Sequence, residues 1–135
     1  MAKLTVLYDA VPATTETLVE RGLKLAIVST KYRRRINDVL ARESLLDRFQ
    51  VVIGGEDVAE HKPHPQGILE AMDRLECSPP SVVYVGDSVV DAEVAKRAGV
   101  PLIVVLSGVT PRGDFDGYEP IAVLDHVRQL TDVLV

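Results

Sequence analysis

The stretch Val82 to Gly99, VVYVGDSVVDAEVAKRAG, limits the fold more than any other. An apolar, β-branched run (Val82, Val83, Tyr84, Val85) gives way at Gly86 to Asp87 and Ser88, and a helical pattern then carries Asp91 in its first turn. This predicts a strand, a tight turn and a helix start. If the strand lies in a parallel sheet, Asp87 projects from its carboxyl end, where the crevice of an open α/β sheet binds its ligand. Asp91 follows one helical turn later, so its carboxylate can converge with that of Asp87. Two carboxylates at one spot suit a hard divalent cation, and Mg²⁺ is typically held by one or two carboxylates plus waters and phosphate oxygens. The same residues also read as a plain helix start, with Asp87 and Ser88 capping and Asp91 favouring the dipole.

The rest of the chain alternates in the same way. Strands are expected at Lys3 to Tyr8, Leu23 to Val28, Phe49 to Ile53 and Pro101 to Leu106, with a short one at Ile121 to Val123. Helical patterns fall at Thr15 to Arg21, Tyr32 to Leu46, Gln66 to Glu76 and, closing the chain, Asp125 to Val133. Asp9 to Thr14 reads as a turn and Ser107 to Tyr118 as a loop punctuated by glycine and proline. Strands that are solid apolar runs alternating with helices predict one domain over residues 1–135. Its expected architecture is a three-layer, Rossmann-like α/β fold around a mostly parallel sheet.

Composition removes several function classes. Fifteen basic against twenty acidic side chains leave a net charge of −5, which argues against nucleic acid or an anionic membrane as partner. Tryptophan is absent and aromatics are only 4%, so stacking on bases is not a resource. Cys77 is the single cysteine, which excludes an intrachain disulfide and a multi-cysteine zinc site and suggests a cytoplasmic setting. The longest apolar run, Val100 to Leu106, is far too short to span a bilayer.

Three strand ends carry polar groups in a fixed order: Ser29 and Thr30, then Lys62 within HKPHP, then Asp87 with Asp91. In a parallel sheet these ends share one edge, so hydroxyls, an ammonium and a carboxylate pair can surround one small anion. Phosphoryl transfer needs such a set. Ser29, Thr30 and backbone N–H groups at the following helix would hold phosphate oxygens, Lys62 would offset negative charge, and Mg²⁺ on Asp87 and Asp91 would bridge to another oxygen. Seen singly, Ser29 reads as a helix cap and Lys62 as a surface lysine. His61 and His64 lack metal-ligand spacing and read as loop residues, and Arg33, Arg34 and Arg35 read first as a solvated helix face.

In these segments the chain resembles the haloacid dehalogenase superfamily, in its phosphoglycolate phosphatase and pyrophosphatase-like branch. LAIVSTK looks like the second motif (Ser29), HKPHP the third (Lys62) and GDSVVD the fourth (Asp87, Asp91), and the likeness runs from about Leu7 to the C-terminus. The resemblance implies a magnesium-dependent hydrolase of small phosphate monoesters, acting through an aspartyl phosphate. Ser29 and Lys62 would be catalytic, Ser29, Thr30 and Lys62 would bind the substrate phosphate, and Asp87 and Asp91 would hold the metal. The loop at Ser107 to Tyr118 resembles the one after the family's fifth strand, where Arg112 could touch an anion or simply face solvent.

Ahead of the second-motif strand the sequence shows neither the family's first motif, DxD, nor its helical cap. LYDAVPATTETLVERG resembles the segment that leads from the cap to the second-motif strand, which would make the chain the carboxyl-terminal part of a phosphatase. Alternatively, Lys3 to Tyr8 fills the mid-sheet slot of the first-motif strand, and Asp9 stands at the nucleophile's position. Val11 then stands where the acid and base belongs, a loss worth about 10²–10⁴ in rate. A non-catalytic phosphate- or metal-binding domain, or a half-site completed by another chain, is the competing function. A receiver domain fits less well, because its acidic pair comes first in the chain and its Lys-Pro last.

Overall fold

The apolar runs form strands and the periodic segments between them form helices. The computed structural model describes residues 5–8, 16–107 and 109–134. In chain order the strands are β1 (Thr5–Tyr8), β2 (Lys24–Val28), β3 (Val51–Ile53), β4 (Val82–Gly86), β5 (Leu102–Val105) and β6 (Ala122–Leu124). The helices are α1 (Glu16–Glu20), α2 (Arg33–Arg42), α3 (Gln66–Arg74), α4 (Val89–Ala98) and α5 (Leu130–Val133).

All six strands join one sheet in the order β3-β2-β1-β4-β5-β6, and every pairing is parallel. β1 therefore occupies the middle slot, with Tyr8 level with Ile27 of β2 and with Val85 of β4. The direction of winding reverses between β1 and β4, and ligands of open α/β sheets bind outside the carboxyl ends at such a point. Asp87 follows β4 directly on that edge.

Alternation along each strand divides the core into two layers. Ala26, Val28, Val82 and Tyr84 pack on α3 and α4 through Ile68, Met72, Val94 and Ala95. Leu25, Ile27, Val83 and Val85 face the other way, against Leu18 of α1, Ile36 and Leu40 of α2 and Leu130 of α5. Helices thus cover both faces of a parallel sheet, the expected three layers. Among the described residues, no helix is long and apolar enough to cross a membrane.

Several boundaries differ from expectation for local reasons. The helix expected over Tyr32 to Leu46 stops at Arg42, because Ser44 turns left-handed (φ 58°) and Leu45 N–H closes back on the Leu40 carbonyl at 2.7 Å. A separate 3₁₀ turn, Leu46–Arg48, follows. Asp125 and His126 stay outside the closing helix because both their N–H groups donate to Gln129 Oε1, at 2.8 and 2.9 Å. A 3₁₀ turn at Val127–Gln129 then leads into α5.

The expected loop after β5 contains a 3₁₀ segment, Arg112–Tyr118, anchored by the buried ring of Phe115. Tyr118 donates its hydroxyl to Glu93 Oε1 at 3.2 Å, and the Lys96 ammonium lies over its ring. Partial burial and then Glu93 raise the Tyr118 phenol, while the hydrogen bond from Arg97 holds Glu93 below the usual carboxylate range. The turn expected at Asp9 to Thr14 lies outside the described residues.

β1 carries two polar atoms into the core. Among the described residues, Thr5 Oγ1 and Tyr8 Oη are buried without a hydrogen-bond partner, and the Tyr8 ring meets Phe49 edge-on. An unsatisfied buried hydroxyl is worse than none, so Tyr8→Phe is expected to stabilise the chain by about 1 kcal/mol in urea unfolding. Burial raises the Tyr8 phenol above its ordinary value. Below about pH 10 the phenol is protonated in both states; above it the unfolded state ionises first, so stability falls as pH rises. Tyr8→Phe should flatten that alkaline limb, and an unchanged limb together with a loss of stability would refute the argument.

Candidate active site

β2 delivers Ser29 to the carboxyl edge, where the Ser29 N–H extends the ladder to the Ile53 carbonyl at 3.0 Å. Ser29 Oγ accepts from Lys31 N–H at 3.1 Å, a local turn that leaves the hydroxyl proton available for donation outward. Thr30 beside it is exposed. The first N–H of α2, on Arg33, donates to Glu56 Oε1 at 2.9 Å, and the Arg33 guanidinium pairs with Asp57. That helix start was expected to offer backbone donors to phosphate; this one of them is already taken by a carboxylate.

Lys62 arrives from the loop before α3, with only 10% of its side chain exposed. Its ammonium donates to Asp91 Oδ1 at 3.0 Å and lies 5.5 Å from the centre of the Tyr84 ring. Ser29, Thr30 and Lys62 line one shallow, solvent-open recess, with Val28, Ile53 and Ile68 in its walls. His61 and His64 line it too.

Asp91 and Asp87 come close in sequence and differ in state. Asp91 is 2% exposed, and its Oδ1 also accepts from Tyr84 Oη at 3.2 Å. Its Oδ2 accepts from Asp87 N–H (3.1 Å), Ser88 N–H (3.3 Å) and Ser88 Oγ (3.0 Å). Ser88 in turn caps α4 by accepting from Asp91 N–H at 3.2 Å, so Ser88 and Asp91 form a capping box. The Asp91 carboxylate is thus surrounded by donors, and the residue expected at a metal site takes part in the helix cap. The half-buried Asp87 carboxylate makes no hydrogen bond or ion pair among the described residues, which leaves its oxygens open to a ligand. A hard cation such as Mg²⁺ suits an open carboxylate of this kind, with waters and phosphate oxygens completing the set. Among the described residues, no group of three or more His, Cys, Asp or Glu is placed to hold a metal.

The remaining candidates divide. Arg112 pairs with Asp125 at 3.5 Å on the exposed surface near β6. Arg34 and Arg35 are exposed and make no ion pair among the described residues. Cys77 is half-buried, with its thiol 3.7 Å from the Met72 carbonyl. Asp9 and Val11 lie outside the described residues. Tyr84 was missed, although it is the only polar-tipped residue in the VVYV run and so was the signal available. Glu56, Asp57 and the His61 contact carried no signal, because their partners are brought by the fold.

Comparison with known proteins agrees with this geometry. The profile of the haloacid dehalogenase-like hydrolases matches residues 1–105. Pyrophosphatase PpaX of Anoxybacillus flavithermus is 35% identical over 127 residues, which are 94% of this chain and 59% of that protein. Phosphoglycolate phosphatase of Vibrio vulnificus is 33% identical over 133 residues, 98% of this chain and 58% of the relative. A crystal structure of a haloacid dehalogenase-like hydrolase from Bacteroides fragilis superposes with a TM-score of 0.84 at 43% identity, covering 88% of this chain and 57% of that one. The chain thus spans less than two thirds of the length of each of these relatives. With its parallel six-stranded sheet, and with Ser29, Lys62 and Asp87 along one edge, the chain belongs to the haloacid dehalogenase-like hydrolase family.

Proposed function

We propose that this chain forms the phosphate and metal side of a magnesium-dependent phosphomonoesterase acting on small phosphorylated metabolites, phosphoglycolate among them. The observation that carries the reading is the Lys62 ammonium, held by Asp91 at 3.0 Å while lining the same recess as Ser29 and Thr30. A largely buried cation beside hydroxyl donors suits an anion with several oxygens. The names of the Vibrio vulnificus and Anoxybacillus flavithermus relatives agree with phosphate ester or anhydride chemistry.

On this reading Ser29 and Thr30 hold the transferring phosphoryl group, Lys62 stabilises its charge, and Asp87 holds Mg²⁺ with Asp91 orienting the turn beneath. The cation would supply Lewis-acid stabilisation of a phosphoryl oxygen. Asp9 follows β1, the middle strand, in sequence and is the nucleophile to test.

The assay is Mg²⁺-dependent phosphate release by the purified chain from a panel of phosphomonoesters. Asp87→Asn should lower turnover by about 10²-fold or more, the order of loss typical when an electrostatic stabiliser is removed, and Asp9→Asn should end it. Turnover that survives Asp87→Asn would sink the metal assignment. A second reading, anion binding without turnover in a half-site, is favoured by Val11, which stands two residues after Asp9 where an acid and base would be needed. Inorganic phosphate binding with no release from any ester would select it.

A further inference from the structure

Ser29 and Lys62 reach the recess on separate segments, and a short turn stands between those segments. The turn is the 3₁₀ segment Gly55–Asp57 with Gly54 before it. On one side, Gly55 N–H donates to the Lys31 carbonyl at 2.8 Å, and a Cβ placed on Gly55 would run into the Thr30 carbonyl oxygen. Glu56 and Asp57 fasten the same turn to the start of α2 through Arg33. On the other side, His61 Nε2 lies 2.7 Å from the Gly55 carbonyl oxygen. One residue thus touches both halves of the site: its N–H serves the serine loop and its C=O serves the lysine loop.

A carbonyl only accepts, so His61 Nε2 carries the proton in this contact. The neutral Nε2–H form and the imidazolium both donate, and the brace therefore survives protonation of the ring. Other bonds of the lysine loop stiffen it or tie it to α3: His64 N–H to the His61 carbonyl (3.0 Å), Gln66 N–H to His64 Nδ1 (3.1 Å) and Glu60 N–H to Gln66 Oε1 (2.7 Å). The His61 contact instead crosses to the Gly55 turn. Lysine has a flexible four-carbon stem, so its aim depends on how firmly the backbone beneath it is held.

Resting on the reading of Ser29 and Lys62 as one phosphate site, we propose that His61 is a positioning residue that sets Lys62 in register with Ser29 through the Gly55 peptide groups. The side chain is exposed, so its replacement leaves the core intact.

The test compares the whole chain with His61→Ala and with His61→Gln, whose amide nitrogen can reach where Nε2 stands. Amide hydrogen exchange at Gly55, whose N–H is bonded to the Lys31 carbonyl, reports how firmly the braced turn is held against the serine loop. It should quicken about tenfold in His61→Ala and return in His61→Gln, the effect of one hydrogen bond. With the phosphomonoester giving the highest wild-type turnover, kcat should fall about 10- to 100-fold in His61→Ala, as for a misplaced catalytic group, with KM changing less than about threefold. His61→Gln should recover most of it. Unchanged Gly55 exchange in His61→Ala overturns the proposal whatever the activity. So do equal losses in both variants, or an unchanged kcat in an active enzyme. A wild-type chain that releases no phosphate removes the phosphatase reading alone, and the brace is then decided by the Gly55 amide.

Discussion

Asp91→Ala is expected to cost about 3–5 kcal/mol in urea unfolding, the range for breaking a buried ion pair from one side. The Lys62 ammonium, whose side chain is 10% exposed, would lose one carboxylate that holds it, at 3.0 Å. Two smaller losses add to this: the cap exchange with Ser88, worth about 1 kcal/mol, and one hydrogen bond of the buried Tyr84 hydroxyl. The charge outweighs both. Asp91→Asn keeps the volume and one acceptor oxygen, and should cost roughly half as much. A loss below about 1 kcal/mol for Asp91→Ala would mean that the pair is solvated in solution.

Gly86→Ala is expected to cost about 2–3 kcal/mol by overpacking, from a single added methyl group. The new Cβ would collide with Asp91 Cβ and stand 2.7 Å from both Cγ and Oδ2 of that side chain. Gly86 has no positive φ, so the requirement is for space and not for backbone freedom. Asp91 cannot yield without releasing Lys62, so turnover should fall along with stability. Gly113→Ala is the control, since a Cβ there meets nothing within 4 Å. Equal behaviour of the two variants in urea unfolding would show that the strand end is loose.

Strands were legible where the fold buries both of their faces. Val82 to Val85 and Leu25 to Val28 are apolar throughout, and only a covered parallel sheet uses such runs. That Ser29, Lys62 and Asp87 share one edge follows from parallel topology, so it could be read before any coordinate. Helix ends were less legible. Leu45 and Leu46 continue the apolar period past the point where Ser44 turns left-handed, and periodicity carries no mark of that turn.

Spacing brought Asp91 under Asp87 but could not show which oxygens were occupied. The donors that fill Asp91 include Tyr84, seven residues away, and Lys62, 29 residues away. The Gly55 contacts are likewise tertiary. They join Lys31, His61 and a turn whose glycine pair reads, in sequence, only as the end of a strand.

The central position of β1 acts as a ruler. Neighbouring strands in a sheet lie about 4.8 Å apart, so the ends of β2 and β4, with one strand between them, stand roughly 10 Å apart. Ser29 extends one end and Asp87 extends the other. The gap is therefore a lattice distance, set by main-chain pairing and indifferent to side-chain choice. On the proposed reading, a group bound from Ser29 to Asp87 would have to bridge that fixed span, which a phosphate with a cation beside it could do and a lone ion could not.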